Sequence, residues 1–314
     1  MKLYLSFSLA ILLSCSTAKK SDDQTVAQSQ LLKDVEVLSS DAYEGRKTGT
    51  KGAALAREYL IKRFKEIGLK TFNGSNAYEQ GFTFKSDGGT INGTNLIGYI
   101  KGKTDTAIVI SAHYDHIGII NGEIHNGADD NASGVAALLK FGAYFSQGQP
   151  TYTMIFAAFD AEEMGLEGAK FFVANAPVQL SKIKLNVNMD MISHNDKGEL
   201  YACGTFKHPE LRKYFIISNS KIKVLFGHDD PKLGHNDWTD QSDQSAFNAK
   251  NIPFIYFGVE DHKDYHKATD EYKNINKAFF TDAAESIQEI ISNIDKKRTR
   301  QTILDDRKKM GSKQ

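Results

Sequence analysis

Residues 108–139 read IVISAHYDHIGIINGEIHNGADDNASGVAALL and hold the densest grouping of metal-competent side chains in the sequence. Residues 108–112 form a short apolar run rich in β-branched residues, which is typical of a buried strand. His113 and Asp115 follow at its end, and a loop then leads to GADDNASG at 127–134, which opens an apolar helical run. Open α/β sheets place their ligands at such strand ends, so this stretch indicates an α/β fold with a site.

Each part of this stretch also has an ordinary explanation. A His-x-Asp sequence is common in surface turns, and the pair Asp129–Asp130 before a helix is typical of N-capping. The functional interpretation therefore depends on whether further candidate ligands follow other strands.

Three later strands supply such ligands. Residues 153–159 (TMIFAAF) precede Glu162 and Glu163. On an extended backbone these neighbours would point in opposite directions, so one could bind a metal while the other faces substrate. The alternative is that both cap a helix beginning at Met164. Residues 185–189 precede Asp190, and the strand at 252–257 precedes the segment that contains His266.

Together these strand ends supply two imidazoles and three carboxylates, namely His113, Asp130, Glu163, Asp190 and His266. Five such groups suffice for two zinc ions if one carboxylate bridges, because each ion then has a histidine, a terminal carboxylate, the shared carboxylate and a water. The sequence thus predicts a two-zinc centre.

The remaining pattern predicts the rest of one domain. Helices are expected at 31–38, 50–67 (ended by Gly68), 208–218, from 242 onward and at 276–294. Strands are expected at 94–100 and 222–226, the former adjacent to the strand at 107–112. The segment 227–241, with the only tryptophan, is expected to be a functional or mobile loop. Glu44 and Arg46 are interpreted as structural ion-pair partners, with substrate contact as the alternative.

The N-terminal sequence predicts export. Residues 1–14 have the form of a signal peptide, and LLSC at 12–15 resembles a bacterial lipobox in which Cys15 carries lipid. An ordinary signal peptide with a chance cysteine is the alternative. We expect a flexible tether at 15–30, one catalytic domain at 31–296 and a charged tail at 297–314. Localisation would be the cell envelope, either the periplasmic face of the outer membrane or the cell surface.

Composition excludes several other classes of protein. The 314 residues carry 39 basic and 39 acidic side chains, so nothing indicates a nucleic-acid partner. Lipidation of Cys15 would leave Cys203 as the sole cysteine, which excludes an internal disulfide. No other apolar run approaches membrane-spanning length, so the lipid would be the only anchor. We expect a monomer.

The motifs resemble the co-catalytic di-zinc exopeptidases, which include bacterial leucyl aminopeptidases and glutamate carboxypeptidase II. The resemblance extends over about residues 38–294 and rests on segments in the family's order: HYD at 113–115, GADDNASG at 127–134, FDAEEMG at 159–165, NMDM at 188–191, SD at 242–243 and YHKATD at 265–270. It implies a mixed, mostly parallel central β-sheet flanked by helices on both faces.

The resemblance also implies a role for each matching residue. Asp130 would bridge two Zn²⁺ ions, with His113 and Asp190 completing one position and Glu163 and His266 the other. Asp115 would hold the His113 ring in its ligating tautomer. Glu162 would be the general base and acid that takes a proton from water and delivers it to the leaving amine. The implied activity is that of an aminopeptidase acting on peptides with a free N-terminus.

The resemblance makes two further predictions about the centre. The Asp129–Asp130 bond is expected to be a non-proline cis peptide. Seven histidines match no family ligand and are expected to be surface residues, namely His116, His125, His194, His208, His228, His235 and His262.

The sequence departs from the family near residue 240. Gln244 follows Ser242–Asp243 where many relatives have histidine, and Trp238–Thr239 stands where a tyrosine often helps to hold the oxyanion. Tyr265 or a loop amide is the expected substitute. Two alternatives share this scaffold: a single-zinc, glutaminyl-cyclase-like acyltransferase, and a non-catalytic peptide-binding relative.

Overall fold

The computed structural model describes residues 29–72, 77–86, 88–218 and 221–297. The expected signal peptide, Cys15, most of the tether and nearly all of the charged tail lie outside the described residues. Within them, no helix combines the length and apolar character needed to cross a membrane.

A mixed eight-stranded sheet forms the centre of the described molecule, with strand order β1-β2-β6-β3-β7-β10-β8-β9. The neighbours β6-β3, β3-β7, β7-β10 and β8-β9 are parallel, and the other pairs are antiparallel. The strands are β1 (Glu79–Ser86), β2 (Gly89–Ile100), β3 (Ala107–His113), β6 (Thr153–Phe159), β7 (Ile183–Met189), β8 (Glu199–Cys203), β9 (Lys223–Phe226) and β10 (Phe254–Gly258). A separate hairpin joins β4 (Gly118–Ile120) to β5 (Glu123–His125). The predicted fold class is confirmed.

Helices cover both faces of the sheet. They are α1 (residues 29–38 as described), α2 (Lys51–Ile67), α3 (Gly134–Ser146), α4 (Glu167–Ala174), α5 (Gln244–Asn248) and α6 (Lys277–Asp295). The first three and α6 pack on one face, whereas α4 and α5 pack on the other. Every residue of β3 is buried, as expected for a parallel strand covered on both faces.

Helix boundaries follow capping chemistry. The Thr50 hydroxyl accepts a hydrogen bond from Ala53 N at the start of α2, and Gly68 ends that helix in the left-handed conformation. Asn276 caps α6 by accepting from Phe279 N. The predictions for 31–38, 50–67 and 276–294 are therefore confirmed.

Two expectations about the chain path, and one of the alternatives, are wrong. Strands β2 and β3 are not neighbours, because β6 lies between them. The predicted helix at 208–218 is only a 3₁₀ turn at Pro209–Tyr214. No helix begins at Met164, since α4 starts at Glu167. Sequence periodicity identifies buried strands but does not say which other strand inserts beside them.

The order β6-β3-β7-β10 determines where the functional residues meet. These four strands are adjacent and mutually parallel, so their carboxyl ends lie at one edge of the sheet. Each is followed by at least one predicted ligand. The fold therefore brings together residues that are far apart in the sequence.

Candidate metal centre

The first of two candidate metal positions lies at the ends of the neighbouring strands β3 and β7. His113 is the last residue of β3, and Asp190 comes directly after β7. The His113 Nε2 atom lies 3.2 Å from Asp190 Oδ1 and 3.4 Å from Asp130 Oδ1. All three side chains are buried, and together they could hold one metal ion.

The second position is built from loops. His266 Nε2 lies 3.1 Å from Asp130 Oδ2 and 3.4 Å from Glu163 Oε2. Glu163 belongs to the turn after β6, and His266 to the segment after β10. The His266 side chain is 40% exposed, so this position is the one open to solvent.

Asp130 directs one carboxylate oxygen to each position. Two ligand atoms about 2.1 Å from the same tetrahedral zinc ion lie roughly 3.4 Å apart. The four distances above are close to that spacing. The donor set of imidazoles and carboxylates therefore fits a pair of zinc ions that share Asp130, and the structure brings all five predicted ligands together.

The electrostatics of the centre favour bound cations. Hydrogen bonds with Asp130 and Glu163 raise the pKa of His266 to about 10. Burial alone would raise the pKa of Glu163, but hydrogen bonds with His116 and His266 outweigh it and hold this pKa well below its usual range. Both shifts show that positive charge is stabilised at the second position.

Glu162 lies beside the first position. Burial raises the pKa of its carboxyl well above the usual value; His113 opposes this shift, and Asp190 and Asp243 add to it. The expected extended backbone is wrong, because Ala161 has a φ of 59° and a turn follows in which Gly165 N donates to Glu162 O. The turn, rather than strand alternation, separates Glu162 from Glu163.

Asp115 fixes this turn. Its Oδ1 accepts from Glu162 N at 3.1 Å, and its Oδ2 accepts from Glu163 N at 3.3 Å. The His113 Nδ1 atom lies 3.1 Å from the main-chain carbonyl of Asp115 and 3.6 Å from its carboxylate. Asp115 thus contacts both the His113 ring and the backbone that carries the two glutamates.

Asp270 holds the backbone that carries the shared ligand. Its carboxylate accepts from Asp129 N at 2.9 Å and from Asp130 N at 3.0 Å. A non-proline cis peptide is present here, but it joins Asp130 to Asn131, so the predicted position one bond earlier is wrong.

Arg46 is a buried cation that bonds to carbonyl oxygens instead of a carboxylate. Its guanidinium donates to the carbonyls of Tyr114 at 2.9 Å, Leu38 and Asn126 both at 2.6 Å, and Gly127 at 2.9 Å. Glu44 instead lies 3.4 Å from Lys51, so the two predicted ion-pair partners act separately. Arg46 ties the loops before and after the β4–β5 hairpin to the start of the domain.

Several histidines expected on the surface are not there. His116 is buried, and its Nδ1 lies 2.8 Å from Glu163 Oε1. His125 is buried in β5, and the His262 Nε2 atom lies 3.0 Å from Asp129 Oδ2. The signal for His116 was present in the sequence, since it is a second imidazole in the same HYDH motif as His113.

A third group of metal-competent side chains contains His194, His262 and Asp264. The two imidazole rings stack with centroids 3.9 Å apart and an interplanar angle of 21°. Ring-nitrogen lone pairs lie in the ring plane, so those of parallel stacked rings do not converge on one ion. We interpret this group as support for Asp129, which also accepts from Ser193 N at 2.6 Å.

The departures near residue 240 have structural reasons. Gln244 is buried, accepts from Asn188 Nδ2 at 3.0 Å and donates to the Trp238 carbonyl at 2.8 Å. Burial raises the pKa of the neighbouring Asp243 to about 8, and neither of its oxygens accepts a hydrogen bond from a described residue. Tyr265 stacks on His266 with centroids 4.0 Å apart, and its oxyanion role stays a prediction.

Comparison with known proteins matches this chain to a peptidase family. The profile of Peptidase family M28 matches residues 95–291. The chain is 28% identical over 182 residues to the alkaline phosphatase isozyme conversion protein of Escherichia coli (strain K12), an alignment that covers 54% of this chain. It spans 52% of that protein, about half of the relative's length.

Solved structures show the same fold. BSAP, a zinc aminopeptidase from Bacillus subtilis, superimposes with a TM-score of 0.67 at 16% identity, covering 87% of this chain and 96% of that one. The glutaminyl cyclase of Bacteroides thetaiotaomicron gives 0.64 at 20% identity, covering 86% and 97%. The overall fold therefore does not indicate whether a protein is an aminopeptidase or a glutaminyl cyclase. Because the family profile covers more than half of the sequence, including all five predicted ligands, the chain belongs to peptidase family M28.

Proposed function

We propose that the protein is a zinc-dependent aminopeptidase that holds two Zn²⁺ ions and releases the N-terminal residue of peptides. One observation carries this proposal: Asp130 presents one oxygen to His113 and the other to His266. An acyltransferase with a single zinc ion does not need a carboxylate whose two oxygens face two metal positions. The equally similar fold of glutaminyl cyclases makes cyclisation of N-terminal glutamine the second candidate.

When bound, zinc polarises the scissile carbonyl and lowers the pKa of water toward neutrality. The protein's own part in the reaction is proton transfer and positioning. Glu162 takes a proton from the attacking water and delivers it to the leaving amine nitrogen as the C–N bond breaks. Burial raises the pKa of this carboxyl, which favours the half of the exchange in which Glu162 holds the proton.

Neighbouring groups keep Glu162 in place. The contact of Asp115 with the Glu162 amide fixes the turn, and the burial of the centre limits competing water. The carboxylate of Glu163 remains for the second metal position because the same turn directs it toward His266.

The first experiment is a screen of aminoacyl p-nitroanilides with purified protein, with and without a chelator. We expect chelator-sensitive release of nitroaniline that added Zn²⁺ restores. A peptide with N-terminal glutamine is included to detect pyroglutamate. Zinc-loaded protein that leaves every free-amine substrate intact contradicts the proposal, and pyroglutamate formation without hydrolysis favours the cyclase.

The role of Glu162 is tested by Glu162→Gln. The amide cannot accept the proton, so we expect kcat to fall by about 10²–10⁴-fold, the usual range for general acid–base catalysis. Zinc content, measured by elemental analysis, should stay unchanged. Glu167→Gln is the matched control, since Glu167 lies in α4 beside Lys170. Equal activity of the two variants would remove Glu162 from the mechanism.

A further inference from the structure

His116 is a buried imidazole in the metal centre that matches no ligand implied by the family resemblance. It follows β3 by three residues and is 1% exposed. Its Nδ1 lies 2.8 Å from Glu163 Oε1 and 3.7 Å from Asp130 Oδ2. His116 therefore lies at the second metal position, and with Asp130 and Glu163 it forms a group that could hold a metal ion.

The distance to Glu163 is that of a hydrogen bond. Two atoms that ligate one tetrahedral zinc lie roughly 3.4 Å apart, whereas a charge-assisted N–H···O bond measures about 2.7–2.9 Å. The His116–Glu163 distance of 2.8 Å falls in the second range. Glu163 thus has one oxygen bonded to His116 and the other, Oε2, near His266.

We propose that His116 is a positioning residue for the second metal position. It donates its Nδ1–H to Glu163 Oε1, which presents Oε2 to the ion and makes Glu163 a one-oxygen ligand. This inference rests on the proposed two-zinc centre and adds a residue to it.

The surroundings hold the His116 ring in this orientation. A Cβ atom at Gly127 would lie 2.6 Å from ring atoms of His116, so the ring packs directly on the glycine backbone. The His116 amide donates to the Arg46 carbonyl at 3.4 Å. The other ring nitrogen, Nε2, is buried and bonds to no described residue. Only the Nδ1 side of the ring therefore has a partner, and that partner is Glu163.

The test is zinc binding to metal-depleted protein, measured by competition with a chromogenic chelator. Loss of a partner that orients a metal ligand costs about 10–100-fold in metal affinity. For His116→Ala we expect that loss for one of the two ions, with the other unchanged. His116→Asn should restore most of the affinity, because its amide N–H replaces Nδ1–H. His208→Ala is the control, since His208 lies near Glu210, outside the centre.

Several outcomes decide the question. If His116→Ala binds both ions as the wild type does, the inference is wrong. If His116→Ala loses an ion and the correctly folded His116→Asn does not recover it, His116 is a ligand itself and the positioning role is also wrong. Should His116→Ala fail to fold, His116→Asn against wild type decides, with wild-type-like affinity for both ions expected.

The proposed function fails separately. Wild-type protein that binds two ions and cleaves no peptide would contradict the aminopeptidase and leave the role of His116 intact. Conversely, an active aminopeptidase whose zinc affinity ignores His116 would contradict only this inference.

Discussion

The two metal positions share Asp130 but are built differently. The first lies on the ends of neighbouring strands β3 and β7, and its His113 is 1% exposed. The second depends on a turn and a loop, and its His266 has a φ of 54° and a side chain that is 40% exposed. The first position has two ligands at strand ends, whereas Glu163 of the second is held in its turn by contacts with Asp115 and His116. Asp270 supports Asp130, which both positions share. We therefore expect the second ion to exchange more readily.

The largest effect should come from Asp130→Ala, which removes the group common to both positions. Each position would lose a ligand at once, so we expect zinc content to fall from two ions per chain to nearly none and peptidase activity to fall to background. Elemental analysis after gel filtration measures the first quantity. A variant that keeps one tightly bound ion would show that Asp130 serves a single position.

The next effect should separate the positions. His266→Ala should weaken the second ion by more than about 100-fold, because losing even an outer partner costs 10–100-fold. The first ion should stay bound, since the ion pairs of His266 are with Asp130 and Glu163. His113→Ala gives the reciprocal case. Zinc titration of both variants checks this difference, and identical two-ion loss in each would mean that the positions fill only together.

The same division explains what the sequence could predict. Buried strands such as β3 and β6 are recognisable from apolar runs, and ligands that follow them could be placed at one sheet edge. The strand order was not predictable in the same way, because the apolar pattern of a strand does not indicate which strand it pairs with. This is why β6 was not expected between β2 and β3.

Loop geometry was the harder part of the site. Local sequence does not show that Ala161 takes a left-handed conformation. The side chains of Glu162 and Glu163 do point to different places, but a turn causes this and not the extended backbone that the sequence predicts. The burial of His116 depends on contacts with Gly127, across the β4–β5 hairpin, and with Glu163, which is 47 residues away. Arg46 likewise bonds to carbonyls up to 81 residues away. Such contacts depend on the whole fold, and the hydrophobic periodicity of the sequence does not predict them.

The smallest effect concerns the scaffold that serves both positions. Arg46 donates to the carbonyl of Tyr114, next to His113, and to that of Gly127, three residues before Asp130. A lysine at this site has no planar fork and cannot reach all four carbonyls, so buried acceptors would lose their donors. For Arg46→Lys we expect the free energy of unfolding to fall by about 2–4 kcal/mol. Denaturant titration of metal-depleted protein measures it without the contribution of zinc binding.

The matched control for Arg46→Lys is Glu44→Gln in the same short segment. Glu44 forms an exposed pair with Lys51 at 3.4 Å, and exposed pairs contribute less than about 1 kcal/mol. If both variants lose equally little stability, the carbonyl contacts of Arg46 do not support the centre. If Arg46→Lys alone is destabilised, zinc titration of this variant then shows which of the two ions binds more weakly. Because the first position also rests on two strands, loosening these loops should weaken the second ion more than the first.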